Sequence, residues 1–114
     1  MNALKCRLLS IRCYKSSEGD GDEVYLKLNG KKIWPQKETW QKLVNDGETR
    51  VGITLPNEKQ ETLLTVDLYD YDSLLDDKLG SFKLDLTGSG GSFSTDLSSA
   101  REGARYSLSW EAYR

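Results

Sequence analysis

Apolar and polar residues alternate with a period of two along most of this 114-residue chain, and no long stretch repeats at helical spacing. The pattern predicts strands. Leu4, Cys6 and Leu8 share one phase, and Leu9, Ile11 and Cys13 continue in the opposite one, as a β-bulge near Leu8 and Leu9 would produce in a strand over roughly 3–14. Val24, Leu26 and Leu28 alternate with Tyr25, Lys27 and Asn29, after which Asn29-Gly30 marks a tight hairpin turn. Val51, Ile53 and Leu55 form a third set closed by Pro56, Leu64, Val66 and Leu68 a fourth, and Phe82, Leu84 and Leu86 a fifth. Gly88, Gly90 and Gly91 read as a flexible turn, Phe93, Thr95 and Leu97 as a short edge strand, and Tyr106, Leu108, Trp110 and Ala112 as a strong last strand. The stretch after Ile33-Trp34-Pro35 is the least legible and admits a short helical turn over 37–44. The expectation is an all-β fold, an antiparallel sandwich of seven or eight strands forming one domain over 1–114.

Composition narrows the chemistry. The chain has no histidine, which removes the commonest general base, and with only two cysteines it offers little to zinc, copper or non-haem iron. Neither a G-x-S-x-G elbow nor a phosphate-cradling glycine loop before a helix is present, so no enzyme is expected. Cys6 and Cys13 share one strand and, without a bulge, face opposite sides of it. They are expected as buried, reduced thiols in a reducing compartment. No apolar run approaches the ~20 residues that span a bilayer, and Met1 to Arg7 lacks the apolar core of a secretory signal. The expected location is cytoplasmic, with peripheral attachment to membrane.

The net charge of −2 is unevenly spread. Lys27, Lys31, Lys32, Lys37 and Lys42 stand against Glu38 alone, whereas Asp67, Asp70, Asp72, Asp76 and Asp77 crowd another segment. The lysines either attract anionic lipid or form a solvated strand face. No aromatic-and-basic pattern of an RNA-binding sheet accompanies them, and nucleic acid is not an expected partner. Trp110 shares the inward phase of Tyr106 and Leu108, while Trp34 and Trp40 either cap the sandwich or, exposed together, anchor a protein partner.

The run Asp70-Tyr71-Asp72-Ser73-Leu74-Leu75-Asp76-Asp77-Lys78-Leu79-Gly80 holds four aspartates and two adjacent leucines between two patterned strands. Two carboxylates ~4 Å apart repel by about 4 kcal/mol at an effective dielectric of ~20, so convergence there calls for open water or a cation. Oxygen-only ligands on flexible loops suit a hard, larger ion, and calcium fits best. The alternative is that aspartates simply populate turns. An EF-hand is excluded, because a loop starting at Asp70 places Leu74 and Leu75 where an oxygen ligand and a glycine belong, and one starting at Asp20 places Val24 and Tyr25 there. Leu74 and Leu75 either insert into a membrane, gaining ~3–6 kcal/mol together, or fold back as a small satellite core.

Gly21-Asp22-Glu23-Val24-Tyr25-Leu26-Lys27-Leu28 resembles the second-strand signature of the C2 domain, in which an aspartate precedes a Pro-Tyr-Val-Lys type run. Val66-Asp67-Leu68-Tyr69-Asp70-Tyr71-Asp72, followed by Asp76-Asp77-Lys78-Leu79-Gly80, is similar to that family's D-x-D loop closed by Asp-x-x-Gly. The resemblance implies a Greek-key β-sandwich whose loops at one end coordinate calcium and meet anionic phospholipid. By it Asp22, Asp70, Asp72 and Asp77 match ligand positions, Tyr71 offers its carbonyl, Asp20 and Asp76 add to the set, and Leu74 and Leu75 touch membrane. The first-loop partner falls at Ser16, with Glu18 or Asp20 as substitutes. The chain departs from the pattern where Glu23-Val24 replaces the proline and where the interval from Asp72 to Asp77 is one residue short. The alternative is a calcium-independent interaction or assembly scaffold docking through unpaired sheet edges.

Overall fold

In the computed structural model, which describes residues 4–88, 91–98, 100 and 103–114, the alternating apolar sets become strands that bury one face each. β1 (Lys5–Lys15), β5 (Glu48–Leu55), β9 (Arg105–Tyr113) and β8 (Gly91–Asp96) form one antiparallel sheet in the order β5-β1-β9-β8. β2 (Asp22–Leu28), β3 (Lys31–Trp34), β6 (Leu63–Asp70) and β7 (Asp77–Asp85) form the second, in the order β3-β2-β6-β7, with β4 (Gln41–Leu43) also on β2. Between the sheets Leu8, Ile11, Val24, Leu26, Val66, Leu68, Phe82, Leu84 and Leu108 are buried completely. Each such side chain stabilises the fold by roughly 1.5–3 kcal/mol, and this packing holds the sandwich together without a disulfide.

The predicted bulge is present. The register of β1 shifts between Leu8 and Ser10 against both β5 and β9. It also corrects the cysteine geometry, since the extra residue reverses the phase and turns Cys6 and Cys13 to the same, inward side, both fully buried. Burial pushes the Cys6 thiol up to about 12 and raises that of Cys13. Both stay free thiols.

The segment that sequence left illegible is strand rather than helix. β3 pairs with one end of β2 (Leu28 opposite Lys31) and β4 with the other (Asp22 opposite Leu43), so the two are halves of one edge strand interrupted over 35–40. Backbone pairing to β2 and burial of Leu43 displace the helical turn expected over 37–44. With β3 and β4 taken as that one edge strand, the described residues form the eight strands of the expected sandwich. Trp34 belongs to the core and Trp40 is half-buried, so the two do not form an exposed pair. Asn29 and Gly30 take φ of 52° and 80°, the left-handed pair that a two-residue hairpin requires. The Gly88 to Gly91 turn and the start of the first strand at Ala3 fall partly outside the described residues.

The loops over 16–21, 44–47 and 71–76 gather at one end. The Ser16 N–H donates to Asn45 Oδ1 (2.9 Å), and the Tyr71 N–H donates to the Glu23 carbonyl (2.7 Å). Gly21, at φ 101°, lets the first loop lie close against β4, because a Cβ there would lie 2.8 Å from the Leu43 carbonyl oxygen. Gly80, which ends the aspartate motif, has a packing reason. A Cβ on it would lie 2.6 Å from the Ser98 carbonyl oxygen, where Ser81 and Ser98 exchange backbone hydrogen bonds and tie β7 to the chain after β8.

A carboxylate cluster and an apolar tip at one end of the sandwich

Asp22 opens β2 and is fully buried. Its Oδ1 accepts from Ser17 Oγ (2.7 Å) and the Glu18 N–H (3.1 Å), and its Oδ2 accepts from the Ser17 N–H (2.8 Å) and the Tyr106 hydroxyl (2.6 Å). These four donors fix the first loop to β2 and to β9. Asp70 closes β6 and is also buried, but it receives only the Glu23 N–H, at Oδ1 (2.9 Å), from the described residues. Desolvation raises its carboxyl to about 6; the negative field of Asp22, Glu18 and Glu23 adds to this and the Glu23 N–H opposes it.

Glu18 completes the cluster from the exposed first loop. One oxygen from each of Glu18, Asp22 and Asp70 lies within 4.8 Å of the others. Desolvation and then the field of Asp20, Asp22, Asp72 and Glu23 raise the Glu18 carboxyl. No cationic side chain neutralises the group, since the ion pairs among the described residues are Arg12 with Glu48 and Lys78 with Asp67. Its donor chemistry suits calcium. All the donors are hard oxygens, and their largest separation is about twice the ~2.3–2.6 Å of a calcium–oxygen contact.

The remaining candidates stand outside the converging three. Asp72 is exposed at the rim; its Oδ1 accepts the Leu74 N–H (3.0 Å), and its field reaches Glu18. Asp76 has both oxygens committed, one to the Asp72 N–H (3.0 Å) and one to the Tyr25 hydroxyl, and these hydrogen bonds hold its carboxyl below the usual range. Through these bonds Asp76 braces the third loop. Asp77 lies opposite Asp70 in the β6–β7 register, and Asp20 is exposed in the first-loop turn. Tyr71 spends its N–H on Glu23. The Ser16 hydroxyl donates to the Glu18 carbonyl and organises the loop.

The two hydroxyl braces escaped the sequence reading. Tyr106 was legible as core from its phase, but nothing local in sequence pairs its hydroxyl with a carboxylate 84 residues away. The Tyr25 hydroxyl reaches Asp76 across 51 residues in the same way.

Leu74 and Leu75 are 95% and 77% exposed, so neither folds back, and Val44 on the neighbouring loop is 51% exposed. Lys31, Lys32, Lys37 and Lys42 are solvated, while Lys27 lies 4.6 Å over the Tyr69 ring, which stacks on Tyr25.

No protein-family model matches the chain, and no curated protein matches it in sequence. Solved structures do match. One is a C2 domain, 18% identical with a TM-score of 0.54 over 96% of each chain. A structure of the two C2 domains of extended synaptotagmin 2 matches at 17% identity and a TM-score of 0.53, over 96% of this chain and 39% of that one. Human GIVD cytosolic phospholipase A2, in complex with methyl gamma-linolenyl fluorophosphonate, matches at 19% identity and a TM-score of 0.53, over 97% of this chain and 17% of the phospholipase. The fold is therefore that of a C2 domain, a two-sheet antiparallel sandwich. Among the described residues, no helix is long and apolar enough to cross a membrane.

Proposed function

We propose that this is a non-catalytic module that takes up calcium among Glu18, Asp22 and Asp70, with Asp72 at the rim, and thereby sets the Leu74–Leu75 tip on an anionic phospholipid surface. The observation carrying this reading is the convergence of three carboxylate oxygens within 4.8 Å, two of them on buried residues, beside a loop with two nearly bare leucines. Without a cation the acidic end repels an anionic bilayer; with one, that repulsion falls and lipid phosphate can complete the coordination. Two leucines supply ~3–6 kcal/mol before the costs of association, which corresponds to around millimolar affinity at best. The bound ion and the exposed lysines supply the remainder. The likeness to C2 structures supports the reading through the fold.

A calcium-independent interaction module is the second reading. It is favoured by Asp22, whose four internal donors let the loop end stand without an ion.

Sedimentation with phosphatidylserine vesicles tests both. The wild type pellets in calcium and stays in solution in EDTA. Replacing both Leu74→Ser and Leu75→Ser weakens pelleting about 10-fold or more while leaving calcium affinity unchanged. Unchanged pelleting of the double variant rejects insertion of the tip. An absence of calcium-dependent pelleting in the wild type favours the second reading.

A further inference from the structure

We infer that Ser73 is a phosphorylation site for a serine kinase that selects acidic substrates, and that the phosphate takes the Leu74–Leu75 tip off an anionic membrane. The second half rests on the membrane reading proposed above; the first stands without it.

Among the described residues, two hydroxyl side chains have an acid three positions further on, Ser17 before Asp20 and Ser73 before Asp76. The fold separates them. Ser17 is half-buried, and its hydroxyl (2.7 Å) and N–H (2.8 Å) both donate to Asp22, so it is withheld from an enzyme. Ser73 is exposed in the third loop beside Leu74, and its hydroxyl has no partner among the described residues. Asp70, Asp72, Asp76 and Asp77 all lie within four residues of Ser73, and no lysine or arginine does. Such a segment complements a basic substrate groove and is repelled by an acidic one.

A kinase must draw the loop out, and little opposes this. The turn around Ser73 is held by the Leu74 N–H on Asp72 Oδ1 (3.0 Å) and the Asp72 N–H on Asp76 Oδ1 (3.0 Å), at a surface where water replaces both. Asp76 also accepts from the Tyr25 hydroxyl, but each of its oxygens keeps a lone pair for the basic groups of the kinase. In the transfer, the bond from the γ-phosphorus of ATP to the ADP oxygen breaks and a bond from Ser73 Oγ to that phosphorus forms. The hydroxyl proton passes to the catalytic aspartate of the kinase.

The product carries about −1.5 to −2 charge at the root of the two leucines. Lys78, the cation nearest in sequence, is paired with Asp67. The phosphate therefore adds to the repulsion between this end and an anionic bilayer, and it sets a strongly hydrated group where the tip has to be buried.

The test incubates the full chain with ATP and casein kinase II, an acid-directed serine kinase, and maps the phosphate by mass spectrometry. The expected result is phosphate on Ser73, none on Ser73→Ala at that peptide, and incorporation slowed about 10-fold or more when Asp76→Asn and Asp77→Asn are combined. An unmodified Ser73, phosphate on Ser17 instead, or a rate unchanged by the asparagines overturns the site. Treated wild type then pellets with phosphatidylserine vesicles in calcium about 10- to 30-fold more weakly than untreated protein, whereas Ser73→Ala treated in the same way pellets undiminished. Equal or stronger pelleting of the phosphorylated protein overturns the switch and leaves the site standing. Untreated protein that stays in solution removes the membrane reading, and the switch with it, while the mapped phosphate alone decides the site.

Discussion

Asp22→Ala lowers the unfolding free energy by about 3–5 kcal/mol, measured by urea denaturation in EDTA. The substitution strips the acceptor from two N–H groups and two hydroxyls. A buried donor left unsatisfied costs about 1–3 kcal/mol. The Ser17 and Glu18 donors recover part of this from water, because the first loop lies at the surface. The Tyr106 hydroxyl recovers little, enclosed as it is by the core. The large effect without any metal follows from Asp22 being a structural anchor, and a loss under about 1 kcal/mol contradicts that role. Asp72→Ala is the natural contrast, since the Asp72 side chain takes only the Leu74 N–H and is exposed.

The second large effect is a dependence of stability on pH. The Asp70 carboxyl is raised from 3.8 to about 6 in the folded protein. Between those values the native state binds more protons than the unfolded chain, so stability falls as pH rises through the window. The favourable contribution is fully present below the ordinary carboxylate value and is lost above about 6. Its size is roughly 2–3 kcal/mol. Glu18 shifts in the same direction and Asp76 in the opposite one, so the Asp70 share is read from the difference between the wild type and Asp70→Asn. The difference curve slopes downward from about pH 4 to 6 and is flat if the carboxylate is not desolvated. Calcium reverses the slope in the wild type, because the ion binds the ionised form.

How far the fold was legible follows from what period-two alternation can encode. The inward sets of β2, β6 and β9 and the reversed phase in β1 were readable because burial acts on every second residue. The 35–40 interruption was not, since β3 and β4 contribute only four and three residues to their pairings, too few for a period to show. At the loop end, Asp22 and Asp70 could be named from their motifs, and both are buried beside one another. Their partners could not be ranked. Whether Ser16, Glu18 or Asp20 completes the first loop depends on which side chain the Gly21 turn points back, and Ser16 was claimed by the Glu18 carbonyl. Asp76 was legible as an acidic candidate by charge, but its bracing role was not, because that rests on the distant Tyr25 hydroxyl.

An anomalous difference map from crystals grown in calcium chloride tests the cation site most directly. The expected result is a peak between Glu18, Asp22 and Asp70, with oxygens about 2.3–2.6 Å from it. A map without a peak there at saturating calcium contradicts it.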